Sequence, residues 1–418
     1  MADNTLATPT WVTKETARYY VNDLTFLANV NRTYDDQYVQ SGAKVGNTVL
    51  ARLPQRFTAS DGQALQLQAI YDQTVAITLT NQKQVAFGYS SSQATTQLDL
   101  IRERYIQPGA EALANASEVL AFNAVYKDIY TAVGVPGSGP PNQTLTYLQA
   151  GTKLTDLATP LRGRVAVLDP FAMQTIANTS STLFNPAAVI AENYEEGMFG
   201  RMQLGIDRWY QDAAKPTFTT GFFTACTPTV NGGSQTGSTL NTQSWASGAT
   251  TLNKGDILTL AGVDSVNPLT YADTGRLQQF VVTAQTSDSS GNITALPISP
   301  SIITSGQLQT VTASPATAAA ITVLGATSAT SGVLGTGTAG AISPQSFVYH
   351  PDAFAFVMAD LINPGAGAVA RTVRSKELGF AIRWVEQYQI GTDQIPSRLD
   401  ILIGAATVQA RLACRVEG

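Results

Sequence analysis

The sequence predicts an α+β fold that carries an inserted all-β module. Three observations lead to this prediction. One apolar stretch with helical period runs from Ile106 to Val133. A buried strand followed by a proline turn occurs twice, at 165–170 and at 347–351. Between these two units lies a Thr, Ser, Gly and Ala segment with short β runs, whose composition differs from the rest of the chain.

Length and composition narrow the classes of protein. A chain of 418 residues exceeds one ordinary hydrophobic core, so two or three structural units are expected. Charged residues make up only 13%, against about a quarter in an average soluble chain. Such a surface is poorly protected against self-association, which suits a subunit whose outer faces become contacts, although a secreted Thr/Ser-rich β protein has a similar composition. The net charge of −5 argues against a nucleic-acid-binding surface.

The cysteines and the N-terminus indicate a protein without metal, redox or export signals. Cys226 and Cys414 share no metal-binding or redox spacing and are predicted to be buried thiols. The N-terminus lacks a basic segment followed by an apolar run, and no stretch is apolar enough to cross a bilayer. We therefore expect a protein that is made and used without secretion and without a membrane.

The first part of the chain reads as an arm followed by strands and the long helix. An amphipathic stretch at 14–30 cannot bury itself and is expected to pack on the chain or on a neighbour. Pro108 in the first turn and the glycine at 134 mark the helix ends. About 25 residues at roughly 1.5 Å each give a rod on the order of 37 Å, which suits a backbone for other elements. An ordinary buried helix of a globular enzyme fits the same period.

Alternating residues before the helix predict two hairpins. The first joins 49–53 to 65–69 through a long loop with Asp61-Gly62 as its turn signal, and the second joins 75–79 to 85–89. A projecting hairpin of this kind is typical of an interaction arm. A plain meander is the alternative.

After the helix, each of the two buried strands is predicted to lead into a helix, at 171–177 and at 353–358. Two matching units fit best into one α+β domain, so the segment between them is a candidate insertion. Residues 225–345 contain only six charged residues and several short β runs, which indicates a separately folding small β-barrel or sandwich. Alternating residues in the C-terminal tail predict the sheet against which the long helix lies.

The sequence contains no set of residues whose types and spacing indicate a catalytic, nucleotide-binding or metal-binding site. His350 is the only histidine and supports neither a catalytic triad nor a metal cage. The glycine pattern at 335–340 resembles a dinucleotide loop, but Pro344 blocks the helix that would receive the pyrophosphate. Glu192, Glu195 and Glu196 are better read as a solvated helix face than as paired carboxylates. The sequence predicts no catalytic, cofactor or metal site, and hence no enzyme.

Four segments in order carry a resemblance to a known family. They are the hairpins at 46–89, the helix start at 105–115, the stretch at 191–207, and Lys254-Gly255-Asp256-Ile257-Leu258-Thr259-Leu260-Ala261-Gly262-Val263. In this order they resemble the major capsid proteins of tailed bacteriophages, in the podophage coat-protein branch with an inserted β-barrel. The resemblance spans nearly the whole chain.

The resemblance implies the tailed-phage major-capsid fold. Its regions are an N-terminal arm (1–45), an extended hairpin loop region (46–95), the spine helix of a peripheral domain (96–144), an axial domain in two parts (145–224 and 346–385), an inserted β-barrel domain (225–345) and peripheral-domain strands (386–418). In relatives the inserted domain can supply a loop across a two-fold contact. The corresponding stretch here, 230–247, carries no charged residue.

The resemblance also implies a function and partners. Subunits of this kind form hexamers and pentamers in an icosahedral shell that encloses the phage dsDNA without binding it specifically. A scaffolding protein and a portal protein are implied partners, the virion is the implied location, and assembly in the host bacterial cytoplasm is expected. Because the extended loop lies over a neighbouring subunit, Arg52, Arg56 and Asp61 are candidate intersubunit contacts, with solvated tip charges as the alternative.

Two other classes of protein remain open from the residues alone. A phage tail or surface-binding β protein that recognises glycans is favoured by residues 225–345 and disfavoured by the long helix. A hydrolase with a carboxylate pair is disfavoured by the single histidine.

Overall fold

The fold is taken from a computed structural model of the chain. It describes residues 9–22, 24–32, 47–59, 62, 65, 67–96, 102–141, 143–180, 205–222, 226–325, 340–365, 368–374 and 380–418. Its helices are α1 (Pro9–Asn22), α2 (Ser91–Thr96), α3 (Gln107–Val125), α4 (Thr144–Asp156) and α5 (Pro170–Ser180).

The strands are more numerous than the helices. In the first half of the chain they are β1 (Thr48–Arg52), β2 (Thr74–Thr78), β3 (Asn81–Ser90), β4 (Ala132–Gly134), β5 (Val165–Leu168), β6 (Arg208–Gln211) and β7 (Thr217–Thr219). The middle of the chain forms β8 (Thr229–Val230), β9 (Gly237–Gln243), β10 (Thr251–Leu252), β11 (Ile257–Val266), β12 (Asp273–Val282), β13 (Thr286–Ser287), β14 (Ile293–Ile302) and β15 (Ile321–Val323). The last part forms β16 (Ile342–Tyr349), β17 (Phe354–Ala359), β18 (Val369–Arg374), β19 (Ala381–Glu386), β20 (Gln394–Thr407) and β21 (Ala413–Glu417).

The chain divides into two compact units. The first comprises Met1–Ala51, Thr74–Ala124 and Phe354–Ala406, and the second comprises Arg52–Gln73, Val125–Ala353 and Thr407–Gly418. The mixture of long helix and antiparallel sheets confirms the predicted α+β class.

The first unit contains a five-stranded sheet in which β17, β20, β19 and β18 are neighbours and β3 also pairs with β20. Helix α3 lies against this sheet. A Cβ atom placed on Gly109 would lie 3.4 Å from Leu399 of β20 and 3.7 Å from Val85 of β3. The predicted role of β19 and β20 as the sheet under the long helix is confirmed, whereas β21 pairs in a different sheet.

The long helix is shorter than predicted. A π-helical turn at Arg102–Ile106 precedes α3, and a 3-10 turn at Tyr126–Asp128 follows it. The prediction that the helix continues to Val133 is wrong, because Ala132–Gly134 forms β4 and pairs in parallel with β21. Pairing with the distant C-terminal strand outweighs the local helical period, as non-local contacts often override propensity.

The N-terminal arm packs on this helix. The Tyr20 hydroxyl and Ser117 Oγ lie 2.8 Å apart within the core. Glu118, which is 1% exposed, accepts hydrogen bonds from the backbone N–H groups of Thr25 at 2.7 Å and Leu27 at 3.2 Å. The arm is therefore attached to its own chain by a buried carboxylate.

The hairpin pairings differ from those predicted. Strand β1 pairs with β2, and β3 pairs with β20, so neither predicted hairpin forms. Among the described residues of 65–69 there is no strand, and the rest of that segment lies outside the described residues. Local alternation shows which residues can form strands but not which strands they join.

The second unit is built on a mixed sheet in the order β4, β21, β16, β5 and β6, with β7 also paired to β16. The two predicted buried strands, β5 and β16, are antiparallel neighbours, which confirms that they share one domain. Helix α5 follows β5 as predicted. The helix predicted at 353–358 is wrong, because this segment is the 3-10 turn Pro351–Ala353 followed by β17, whose residues are buried on both faces.

The inserted segment forms a closed barrel. Six strands pair in the order β15, β11, β12, β14, β9 and β8, and a bridge between Thr229 and Ala320 joins the two ends of that order. Its core is apolar and includes Leu258, Phe280 and Leu296. The short β runs predicted in this segment correspond to strands, namely β11, β12, β14 and β15. Stretch 230–247 is largely the β8–β9 hairpin of this barrel.

A side chain links the barrel to the mixed sheet. Gln279 of β12 accepts a hydrogen bond from Ala132 N at 3.0 Å and donates one to Ala132 O at 3.1 Å. Lys153 of α4 donates to the same Gln279 at 2.8 Å and to Ala132 O at 2.6 Å. The amide thus pairs with a strand backbone as another strand would.

Candidate assembly surface

The structural feature closest to the predicted interaction arm is the extended loop, residues 53–73, between β1 and β2. It has no helix or strand among its described residues. The loop closes at its base where Leu53 N donates to Gln73 O at 2.9 Å. Loops of this length without secondary structure of their own are uncommon in compact domains, and binding loops are one of the classes in which they occur.

Glutamine side chains hold the two legs of the extended loop together. The Gln68 side chain accepts a hydrogen bond from Thr58 N at 2.9 Å and donates one to Thr58 O. Nearer the base, Tyr71 N donates to Gln55 Oε1 at 3.1 Å. Side-chain amides therefore replace the backbone ladder that a true hairpin would have.

The loop is also attached to the barrel. Gln307 lies in the connection between β14 and β15, and its Nε2 donates to Gln68 Oε1 at 2.8 Å. Gln68 is thus shared between the opposite leg of the loop and the barrel. This contact fixes the position of the loop within the second unit.

Large apolar side chains project from the extended loop into solvent. Their exposed fractions are 60% for Phe57, 85% for Leu65, 88% for Leu67, 74% for Ile70 and 52% for Tyr71. Single exposed apolar residues are normal, but a cluster along one short loop is typical of a protein interaction site. The alternation of the sequence predicts a strand at Leu65 and Leu67, so their exposure on a loop does not follow from it.

The structure places the three predicted contact residues differently from one another. Arg52 is exposed at the end of β1, and Arg56 is half-buried in the loop. Neither makes an ion pair with a described residue. Asp61 lies outside the described residues. The structure therefore brings no predicted salt bridge together among the residues it describes.

Arg56 lines a cleft of about 590 Å³ in the second unit, which we call the arginine cleft. Its walls come from the first leg of the loop, from the barrel and from the 3-10 turn Ala410–Leu412, which supplies Arg411. The described lining contains these two arginines and no carboxylate. Burial raises the pKa of the lining Tyr130 to about 12, and the two arginines partly oppose that rise.

Among the described residues, those considered for chemistry do not assemble into a site. His350 Nδ1 lies 3.4 Å from Asp352 Oδ2, and burial lowers the pKa of the imidazole. Of the residues considered as a nucleotide loop only Gly340 is described, and the three glutamates at 192–196 lie outside the described residues. In the described part of the chain no group of three or more His, Cys, Asp or Glu could hold a metal ion. Cys414 is a buried free thiol as predicted, whereas Cys226 is only half-buried.

No helix within the described ranges is long and apolar enough to span a membrane.

Several solved structures are similar to this chain at low identity. A structure of Mycobacterium phage Che8 has 15% identity, covers 94% of this chain and 90% of its own, and gives a TM-score of 0.44. The capsid of Ralstonia phage GP4 has 8% identity, with 94% and 87% coverage and a TM-score of 0.45. A virus-like particle from Pyrococcus furiosus has 6% identity, with 97% and 98% coverage and a TM-score of 0.40. No curated protein matches the chain.

The family comparison covers almost the whole sequence. The family model described as "P22 coat protein - gene protein 5" matches residues 1–414 of the 418. The first compact unit, the inserted barrel and all but the last four residues of the second unit fall within that match. The chain therefore belongs to the P22 coat protein family and is a structural major capsid protein of a tailed bacteriophage.

Proposed function

We propose that this chain self-assembles as hexamers and pentamers into the icosahedral shell that encloses the phage dsDNA genome. The observation that carries the proposal is the row of exposed apolar side chains on the extended loop. Covering this row with a second copy would remove apolar surface from water at about 25 cal/mol per Å². Repeating one modest contact by symmetry is how closed shells are built.

The proposal assigns roles to the regions of the chain. Residues 46–95 supply the extended loop to a neighbour, with Arg52, Arg56 and Asp61 as candidate contacts. Residues 1–45 act as the arm, 96–144 as the spine helix region, 145–224 and 346–385 as the axial domain, 225–345 as the inserted domain, and 386–418 as peripheral strands. The attachment of the arm to α3 through Glu118 supports an arm that is ordered by its own chain.

The partners and location follow from the same proposal. A scaffolding protein and a portal protein assist assembly in the host bacterial cytoplasm, and the finished protein is part of the virion. The chain does not bind the packaged DNA specifically, in keeping with its net charge of −5. It acts as a structural subunit and not as a catalyst, in keeping with the coat protein family to which it belongs.

Sedimentation of loop variants tests the proposal. Leu67→Asp places a charge on the most exposed apolar side chain of the loop without touching the core. We expect this variant to keep its thermal unfolding temperature and to sediment as small species where the wild type forms large particles. Leu67→Met keeps the apolar area and is the matched control. Large particles formed equally well by Leu67→Asp would contradict the role of the loop.

The glycan-binding alternative is not favoured by any feature of the described residues. The barrel core is apolar, and the arginine cleft is lined by two arginines.

A further inference from the structure

We propose that the arginine cleft is a docking site for a carboxylate-bearing peptide segment of a second copy of this chain, with Arg56 and Arg411 as the groups that bind the carboxylate. The inference rests on the proposed assembly function and adds a specific contact to it. It concerns a concave site on the second unit that adjoins the apolar row on the loop through Phe57.

The cleft contains two positive charges and no counter-charge among its described lining residues. Arg56 has no hydrogen-bond or ion-pair partner among the described residues. Arg411 donates to Leu157 O at 3.1 Å and to Gln409 Oε1 at 3.2 Å, which leaves guanidinium donors free because arginine has five N–H groups. Burial and the charge of Arg56 both lower the pKa of Arg411. Two like charges facing one cleft repel each other until an anion lies between them.

Other arginines of the chain that are largely shielded from solvent bind partners within the chain. Arg383 lies 2.5 Å from the buried carboxylate of Asp400, and Arg415 lies 3.3 Å from Glu417. Arg164 instead uses its donors on backbone carbonyls and on a threonine hydroxyl. Arg56 therefore differs from all three, since it has neither a carboxylate nor a neutral hydrogen-bond acceptor among the described residues.

The anion that best fits the cleft is a carboxylate carried by a peptide segment. A planar guanidinium binds a carboxylate through two parallel hydrogen bonds. The cleft also has an apolar wall that includes Leu53, Leu157 and Leu269, and its volume of about 590 Å³ exceeds that of one small ion. Apolar walls beside paired cations fit a peptide segment in which a carboxylate side chain neighbours apolar ones.

The acidic surplus of the chain and the position of the cleft beside the extended loop favour a second copy as the occupant. The chain has 30 acidic and 25 basic residues, so each neighbouring copy brings a surplus of carboxylates. The cleft is also continuous with the extended loop, because Pro54, Gln55 and Phe57 line it and Phe57 belongs to the exposed apolar row. A copy seated on the loop would lie beside the cleft.

Zero-length cross-linking tests this inference. Arg56→Lys keeps the positive charge and introduces an amine, which a carbodiimide couples to a carboxylate only when the two are in contact. Particles of this variant, first checked by electron microscopy, are treated, denatured and mapped by mass spectrometry. We expect covalent dimers joined from position 56 to an Asp or Glu, and no such dimers from the unassembled variant. The native pair of Lys254 and Asp128, 2.9 Å apart, is the internal control for coupling within one chain.

The outcomes separate this inference from the proposed function. A link from position 56 that is absent, or that stays within one chain, while the Lys254 link forms in intact particles, would overturn the docking site and leave the assembly proposal standing. Failure to form particles under any condition would overturn the assembly proposal and this inference with it. As a second variant, Arg56→Gln is expected to leave the unfolding temperature of the free chain unchanged or higher and to make particles dissociate at lower urea. Particles as stable as wild type would count against the site.

Discussion

The Nε2 atom of Gln307 donates a 2.8 Å hydrogen bond to Oε1 of Gln68, and the same oxygen accepts a hydrogen bond from Thr58 N at 2.9 Å. Two residues separated by 239 positions thus connect the extended loop to the inserted barrel. The loop has no strand ladder of its own among its described residues, so its shape depends on such side-chain contacts.

The first prediction concerns this connection. Gln68→Ala removes the hydrogen bonds to Thr58 and to Gln307, each worth about 1 kcal/mol net. The three bonds sum to about 3 kcal/mol, so we expect local opening of the loop to become about a hundredfold more frequent, because about 1.4 kcal/mol is a factor of ten. Limited chymotrypsin digestion of the unassembled chain at the exposed loop residues measures this. Gln82→Ala, at an exposed position on β3, is the control. Equal cleavage rates would show that the glutamine contact does not hold the loop.

The second prediction concerns the attachment of the N-terminal arm. Glu118→Ala leaves the backbone N–H groups of Thr25 and Leu27 buried without the carboxylate that accepts them. We expect the free energy of unfolding to fall by about 2 to 4 kcal/mol in urea titrations. Glu111→Ala, on the same helix but half-buried, is expected to cost under about 1 kcal/mol. A similar small loss for both variants would contradict the role of Glu118.

The third prediction concerns the parallel pairing of β4 with β21. Gly134 has φ of +94°, and a Cβ atom at this position would overlap the backbone oxygen of Glu417. We expect Gly134→Ala to lower the free energy of unfolding by about 2 to 4 kcal/mol through strain and clash together. Gly139 has φ of +85°, but a Cβ atom placed there would meet nothing within 4 Å, so Gly139→Ala reports the backbone strain alone. Equal losses of unfolding free energy in the two variants would contradict this prediction. They would mean that β4 and β21 can move apart and relieve the clash at no cost in free energy.

The fourth prediction is a pH dependence. Burial raises the pKa of Asp256 to about 7, opposed by hydrogen bonds from Asn253 N and Gly221 N and by the charge of Arg415. Because the folded pKa lies above the unfolded value near 3.8, the protonated form favours folding below pH 4, and this stability is lost as the pH rises through 7. The loss is on the order of 4 kcal/mol at most.

Urea unfolding of wild type and Asp256→Asn between pH 4 and 8 measures this dependence. The neutral side chain cannot ionise, so the variant is expected to gain stability relative to wild type as the pH rises. Glu417 is also buried and its pKa is also raised. It is present in both proteins, so the effect of its burial cancels in the difference, and what remains is its charge interaction with Asp256, which belongs to the ionisation of Asp256. A difference that does not change with pH would refute the assignment to Asp256.

The barrel and the strand β5 could be predicted because their signals are local. Short apolar runs between turn residues, such as 257–260, are sufficient to identify strands of a barrel. The closing bridge between Thr229 and Ala320 joins positions that no local pattern connects. The sequence therefore predicts the class of the inserted module but not how its sheet closes.

The incorrect predictions of helix ends, strands and strand partners share one physical cause. Pairing between residues that are distant in the sequence outweighed the local pattern. Residues 129–133 continue the period of α3, yet 132–133 join the C-terminal strand β21. The run Phe354–Met358 is buried on both faces, and for a short, fully buried run periodicity does not separate helix from strand. Strand β1 takes β2 as its partner instead of the nearer alternation at 65–69.

The assembly surface was only partly predictable. Local pattern and resemblance predict the projecting loop and Arg56 as candidate contacts. Gln307 and Arg411, which hold the loop and complete the arginine cleft, lie more than 200 residues further along the chain. No spacing rule connects them to the loop before the fold is known.

Electron microscopy of the purified chain, produced alone and together with the neighbouring reading frames of its genome, tests the central claim most directly. The account predicts closed shells, sheets or rings built from hexamers in at least one of the two preparations, with loop density reaching a neighbouring subunit. A monomeric 44.1 kDa chain at high concentration in both preparations would contradict it.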